Sequence, residues 1–169
     1  MADAIAVLNA GSSSLKFSLY AETPQDLELV ARGQAEALHT APRFVAKDAA
    51  GAVLSEKSWG EGASLGHAGA LDHLVAFLRE RMSEHRLAGV GHRVVHGGLE
   101  YSAPVRVDAT ILDALGKYVP LAPLHQPHNL APIRALLERS PQLPQVACFD
   151  TAFHRGQPPV AQAFALPRE

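Results

Sequence analysis

Residues 4–20 read AIAVLNAGSSSLKFSLY, and the reading of this stretch decides the fold. Ala4 to Leu8 form an unbroken apolar run, the pattern of a strand covered on both faces. Beyond the polar cluster, Leu15, Phe17 and Leu19 alternate with Lys16, Ser18 and Tyr20, the two-residue period of a half-buried strand. A glycine followed by three hydroxyl residues makes a turn between them. The chain therefore opens with a β-hairpin whose tip is Gly-Ser-Ser-Ser.

Working outward, Leu29-Val30-Ala31 opens a third strand, and Arg43 to Ser58 carries two more around the turn Ala49-Ala50-Gly51. The period then changes. Leu71, Leu74, Val75, Leu78 and Met82 fall at helical spacing and predict a helix over 64–86 with Ser64 as N-cap. Ala88 to Val95 reads as a strand ending in His96-Gly97-Gly98, where glycine permits a turn or a close backbone approach. A helix over 109–118 follows, capped by Asp108 and burying Ile111, Leu112 and Leu115. Three prolines between Val119 and Pro127 predict a rigid non-helical loop. A further helix over 129–139 buries Leu130, Ile133, Leu136 and Leu137, and Gln145 to Phe149 forms the last strand, ending at Asp150. Pro158 to Glu169 reads as irregular, stopping without a helix cap as if cut. The predicted class is α/β: a ribonuclease-H-like mixed sheet, an antiparallel meander followed by βαβ crossovers, with flanking helices.

Of the 169 residues, 47% are hydrophobic and 19% charged, the balance of a globular domain able to bury a core. A formal net charge of −2 without any Lys/Arg block gives no footprint for nucleic acid or an anionic membrane surface. No apolar run approaches the roughly 20 residues of a membrane span. Acidic Asp3 stands where a leader would be basic, so a cytoplasmic location is expected. Cys148, the single cysteine, lies in an apolar run and reads as a small buried core residue rather than a reactive thiol.

In such a sheet, ligands gather outside the carboxyl ends of the parallel strands. The topology sends three polar motifs there: the hairpin tip, HRVVHGG at 92–98, and FDTAFH at 149–154. The tip offers backbone N–H groups and the hydroxyls of Ser12, Ser13 and Ser14, suited to phosphate oxygens, although the same residues also describe a flexible solvated turn. Lys16, on the strand face opposite Leu15 and Phe17, adds an ammonium that favours phosphate. A strand follows the tip where a Walker loop would open a helix.

Arg93 lies in a run expected to be largely buried, where a guanidinium requires an anionic partner, either a ligand or a structural salt bridge. Asp150 ends an apolar strand, the place of a catalytic carboxylate in an α/β sheet or of a cap on the next turn. His92 and His96 would share a strand face, with His125 and His128 in a later loop. The HxxxH spacing is a helical zinc signature, and no Cys or acidic ligand completes a set here, so a zinc cage is disfavoured. A two-metal nuclease is disfavoured as well, because the first strand ends in neutral Asn9.

Taken together, VLNAGSSSLKFSLY, GHRVVHGG, LAPLHQPHNLAPI and QVACFDTAFH resemble the acetate kinase family, in which acetate and propionate kinases share these motifs. The resemblance runs from Val7 to about Pro167 and implies the superfamily of acetate and sugar kinases, heat-shock chaperone ATPases and actin. It implies that residues 1–169 are an N-terminal lobe, and that a second, C-terminal lobe supplies the adenosine pocket and most of a homodimer interface. The implied reaction is reversible phosphoryl transfer from ATP to acetate, or another short-chain carboxylate, giving acetyl phosphate and ADP with Mg²⁺ as cofactor. By the same resemblance Asn9 helps hold magnesium through water, and Lys16, Ser12 and Ser14 bind nucleotide phosphate. Arg93 grips the substrate carboxylate or the transferred phosphoryl group, Val95 and Leu124 wall the acyl pocket, and Asp150 has the catalytic role. One departure is Leu99, where the family usually places a glutamate directly after HGG. A lobe carrying half a site is expected to be almost inactive alone; the alternative is a non-catalytic binding or regulatory module of the same fold.

Overall fold

A computed structural model describes residues 2–81, 85–163 and 165. The opening hairpin, β1 (Ala2–Ala10) and β2 (Leu15–Glu22), pairs with Asn9 opposite Lys16 and Ala10 opposite Leu15. β3 (Leu27–Glu36), β4 (Arg43–Lys47) and β5 (Val53–Ser58) continue the antiparallel meander. On the other side of β1 lies β6 (His85–Val94), parallel to it, and then β8 (Gln145–Phe149), parallel to β6. A short β7 (Val105–Arg106) closes that edge in the antiparallel sense. The order is β5-β4-β3-β2-β1-β6-β8-β7, eight strands among the described residues. Helix α1 (Gly66–Arg81) crosses from β5 to β6, and α2 (Ala109–Gly116) with α3 (Gln126–Arg139) returns from β7 to β8. Two single turns, α4 (Ala152–Arg155) and α5 (Pro159–Gln162), follow. A meander followed by parallel crossovers is the ribonuclease-H-like plan that the hairpin and helix spacings predict.

Strand alternation sorts the side chains into two faces. Ala4, Ala6, Leu8, Leu15, Phe17 and Leu19 point inward against Leu71, Leu74, Phe77 and Leu78 of α1. Phe17 stacks on Phe44 at 5.8 Å between ring centroids and meets Phe77 edge-on at 5.9 Å. Farther along the same face Val94, Ala147 and Phe149 pack with Leu112, Leu115, Leu130 and Ile133 of α2 and α3. Each large side chain so buried contributes ~1.5–3 kcal/mol.

The same parity overturns three expectations. β1 is not covered on both faces: Ile5 is half-buried and Val7 is 40% exposed, because α1, α2 and α3 pack against inward side chains only. Arg93 is exposed on the outer face, since Val90, His92 and Val94 take the inward positions of β6. Cys148 is exposed beside it, as the partner of Arg93 in the β6–β8 register, while Ala147 and Phe149 fill the core.

Element boundaries shift for local reasons. Helix α1 starts at Gly66 rather than Ser64, because the amides of Leu65 and Gly66 both donate to the Leu38 carbonyl and Gly66 takes a φ of 63°. Its predicted end at residue 86 is too late, since His85 and Arg86 pair with Ala2 and Asp3 in the sheet; Met82 lies outside the described residues. The proline-rich stretch is not a continuous loop. Val119–Leu121 makes a 3₁₀ turn, and α3 begins at Gln126 with Pro127 in its first turn, where the missing N–H would have had no helical partner anyway. Asp108 caps α2 as predicted, its Oδ1 accepting from the Ile111 amide at 2.8 Å. In the terminal stretch expected to be irregular, α5 forms one turn, and residues 164 and 166–169 lie outside the described residues.

Two features of the β6 end carry measurable consequences. His92, 2% exposed, donates from Nε2 to Gln145 Oε1 at 2.8 Å, and Gln145 in turn donates to the Ile133 carbonyl. Burial pushes the His92 imidazole down to about 4, so it sits neutral in the core as a hydrogen-bonding group. After the strand, a Cβ on Gly97 would lie 2.5 Å from the Tyr101 carbonyl oxygen. Gly98 has a φ of 63°, and a Cβ there would lie 2.2 Å from the Tyr118 ring. Both glycines are thus required.

Gly98→Ala is expected to destabilise the fold by ~2–4 kcal/mol, read as a shifted urea midpoint; an unchanged midpoint would mean that Tyr118 swings aside freely. Stability is also expected to fall as pH drops from 6.5 toward 4. In that window the unfolded imidazole of residue 92 takes up a proton that the folded one refuses, a contribution of ~3 kcal/mol. His92→Gln, which keeps a donor for Gln145 without titrating, should make this slope shallower.

Candidate active site

The carboxyl ends of β1, β6 and β8 and the start of β2 place four polar side chains in one outward row. Asn9 faces outward from β1 with Lys16 as its cross-strand partner on β2. Arg93, one residue past the Leu8–His92 pair, donates from Nη1 to Asn9 Oδ1 at 3.2 Å. Its Nε and Nη2 donate to the two carboxylate oxygens of Asp150 at 3.0 and 2.5 Å. The fork-to-fork pair fixes the guanidinium plane. It leaves one N–H on each terminal nitrogen without a protein partner among the described residues. The side chains are 45% and 42% exposed, so an anion from solvent can reach them.

The hairpin tip turns its carbonyls inward. Ala10 O accepts from Asn129 Nδ2 at 2.6 Å, and Gly11 O from His67 Nε2 at 2.6 Å. Ser13 O accepts from the Leu38 amide and Ser14 O from the Gly11 amide. Among the described residues, the amides and hydroxyls of Ser12, Ser13 and Ser14 have no partner. A loop that has four of its carbonyls engaged and its serine donors unpartnered among the described residues is suited to an anion. Ser13, Ser14 and Lys16 line a cleft of ≈ 810 Å³ together with His39, Thr40 and Arg43. Asn9, Arg93 and Asp150 do not line it. Lys16 therefore joins two adjoining areas: the cleft at the tip and the open shelf of the row.

The strand-end loop at 95–98 hangs on side chains that the sequence reading leaves without a role. Asn129 Oδ1 accepts from the Val95 amide at 2.9 Å. Gln126 Oε1 accepts from the His96 amide at 3.1 Å, and its Nε2 donates to the His96 carbonyl at 2.9 Å. Thr151 Oγ1 accepts from the Gly97 amide at 3.0 Å. Gln126 and Asn129 are buried to 0% and 2% exposure on the helix face that also carries Leu130 and Ile133. That spacing, polar residues at three-residue intervals running into an apolar stripe, is the signal that could have found them.

The histidines fold into separate tasks. His96 Nδ1 accepts from the Gly98 amide at 2.9 Å, bracing the turn. His67 and His128 stack at 4.9 Å behind the tip, and burial, then the neighbouring imidazoles of His67, His39 and His125, hold His128 below its ordinary value. Among the described residues no three His, Cys, Asp or Glu side chains group as metal ligands. Val95 is half-buried beside the row, whereas Leu124 is 73% exposed. Leu99, in the place of the expected glutamate, is 79% exposed, and the adjacent Glu100 adds to burial in raising the Tyr118 phenol.

The arrangement is chemically suited to an anion: two cations and a set of unpartnered serine amides, with one carboxylate holding an arginine in register. The chain matches the Acetokinase family over residues 4–169. Acetate kinase from Rhizobium meliloti is 47% identical over 166 residues, which cover 98% of this chain and 42% of that protein. Acetate kinase from Rhodopseudomonas palustris (strain ATCC BAA-98 / CGA009) is 47% identical over 171 residues, 100% of this chain and 42% of its own length. Among solved structures, Porphyromonas gingivalis acetate kinase superposes with a TM-score of 0.83 at 31% identity, covering 99% of this chain and 42% of that one. A propionate kinase from Francisella tularensis gives 0.80 at 35% identity, covering 98% and 41%. The chain thus spans about two-fifths of the length of the relatives it matches. With the sheet order, the outward row and the match along nearly its whole length, it belongs to the Acetokinase family.

Proposed function

We propose that this chain is the N-terminal lobe of an acetate kinase and supplies half of a site that transfers the γ-phosphoryl group of ATP to acetate. The observation that carries the reading is the joining of Asn9, Arg93 and Asp150 by hydrogen bonds across three strands, one register step from Lys16. A row that pairs two cations with oriented donors is what a dianionic group in transit requires.

A carboxylate nucleophile has a pKa of roughly 4–5 and is already ionised at neutral pH, so the reaction needs no general base. One acetate oxygen attacks phosphorus, the O–P bond forms, and the bond to the bridging oxygen breaks with its electron pair leaving on ADP. No proton moves. Asp150 then acts through Arg93, whose plane it fixes while the two remaining N–H groups meet the carboxylate or the equatorial phosphoryl oxygens. Lys16 and the amides of Ser12 and Ser14 bind nucleotide phosphate from the hairpin side. Asn9 Oδ1 and both Asp150 carboxylate oxygens accept from Arg93 and keep further lone pairs, through which they would hold a magnesium ion by way of its water ligands, with phosphate oxygens completing its shell. Such an ion would supply further positive charge to the phosphate oxygens. Propionate differs by one methylene, worth only ~1–3 kcal/mol in an apolar pocket. Acetate is favoured here because the relatives at 47% identity are acetate kinases.

The full-length protein, given MgATP, acetate and hydroxylamine, should form acyl hydroxamate, and residues 1–169 alone should do so at least about a hundredfold more slowly. Equal turnover by the lobe alone would overturn the half-site reading. Arg93→Ala in the full-length protein should lower kcat/KM for acetate by about 10²–10³, with Arg93→Lys restoring little because an ammonium cannot form the two-pronged pair with Asp150. Turnover within about twofold of wild type would remove Arg93 from the site.

A further inference from the structure

β1 and β6 run side by side until Leu8 meets His92, and beyond that point they separate toward the Gly11–Ser14 tip and the Val95–Gly98 loop. The carboxamide of Asn129, near the start of α3, bridges the gap. Its Nδ2 donates to the Ala10 carbonyl at 2.6 Å and its Oδ1 accepts from the Val95 amide at 2.9 Å. The two partners fix the orientation of the group, because a carbonyl only accepts and an amide N–H only donates. At 2% exposure, water is not available to replace either bond. Among the described residues, Gln126 holds only His96 and Leu115, the His67 imidazole holds only Gly11, and the Asn9 carboxamide meets the Arg93 side chain on the exposed face, so Asn129 is the buried side chain that joins main-chain groups of both stretches.

We propose that Asn129 is a positioning residue for the phosphotransfer site. It sets the spacing between the phosphate-facing tip and the Arg93–Val95 stretch, so that a shift of either loop is carried to the other through one rigid amide. The proposal rests on the reading of the site given above. A carboxamide is the group the position needs, since a carboxylate cannot donate to Ala10 and an alkyl chain can do neither task. A displacement of about 1 Å between reacting groups is enough to cost about a hundredfold in rate.

The test uses the full-length protein and two variants. Asn129→Asp keeps the acceptor for Val95 but sets a carboxylate oxygen against the Ala10 carbonyl; Asn129→Ala removes both bonds. In each, kcat should fall about 10- to 100-fold, and more than either KM rises, in protein whose circular dichroism and thermal midpoint show it folded at the assay temperature. A role in stability alone would lower the midpoint and leave kcat of the folded protein unchanged. Hydrogen exchange supplies a readout independent of turnover. In Asn129→Asp the Gly11 amide should exchange at least about tenfold faster while Val95 stays protected, and in Asn129→Ala both should accelerate. Turnover of folded Asn129→Asp within about twofold of an active wild type overturns the proposal and leaves the reaction intact. A wild-type protein without turnover overturns the reaction reading instead, and exchange then judges the clamp: a Gly11 rate within about twofold of wild type in Asn129→Asp overturns it.

Discussion

The arrangement at the site depends on the register between β1 and β6. With Leu8 opposite His92, both point into the core, and the next residue on each strand, Asn9 and Arg93, points outward at its neighbour. The β6–β8 register adds Val94 opposite Phe149, which leaves Asp150 outward at the next step. A slip of one residue on β6 would drive the guanidinium among Ile133, Ala147 and Phe149, turn Val94 out to solvent and pull His92 away from Gln145. Burying an unpaired charge costs far more than any of the surface contacts gain, so the core enforces the register that the site uses.

This division of labour explains why the row is polar yet open. An ion pair whose members are 45% and 42% exposed adds little to stability, because solvent screens it. Its value is orientation. Asp150 occupies two of the five donors of Arg93 and Asn9 a third, which holds the guanidinium without burying it. An arginine in a largely buried run, as the sequence predicts, would hold its partner more tightly but could not readily exchange it for an incoming anion.

Much of this was legible in the sequence, and the failures have physical causes. The hairpin, the Asp108 cap, the last strand and the polar motifs at the strand ends follow from periods and turn chemistry. The outward placement of Arg93 did not, because the outer positions before it are Gly89 and Gly91, which have no side chain to mark a second face. Val90, His92 and Val94 then read as a continuous buried run. β7 escaped notice because two residues show no period. Pro127 reads as a helix breaker, yet the first helical turn accepts proline. Asn129 and Gln126 lie inside the LAPLHQPHNLAPI motif, but the partners that give them meaning are main-chain groups 11 to 119 residues away. Sequence spacing carries no record of such bonds.

Backbone atoms supply much of the candidate site, and this bears on what the side chains are for. The tip presents amides of consecutive serines only because four carbonyls behind it are engaged by Asn129, His67, Leu38 and Gly11. A loop with free carbonyls would set partial negative charge beside the same amides and weaken its attraction for phosphate. The inward bonds therefore shape the electrostatics of the tip as well as its geometry. On the proposed reading, the same logic defines the counterpart surface. An open shelf loses the strength of its charge interactions to water, and transfer to acetate rather than to solvent requires that water be excluded. The opposing wall must then bring positive charge and apolar cover together, since Leu124 at 73% exposure and Val7 at 40% offer apolar surface that this lobe leaves uncovered.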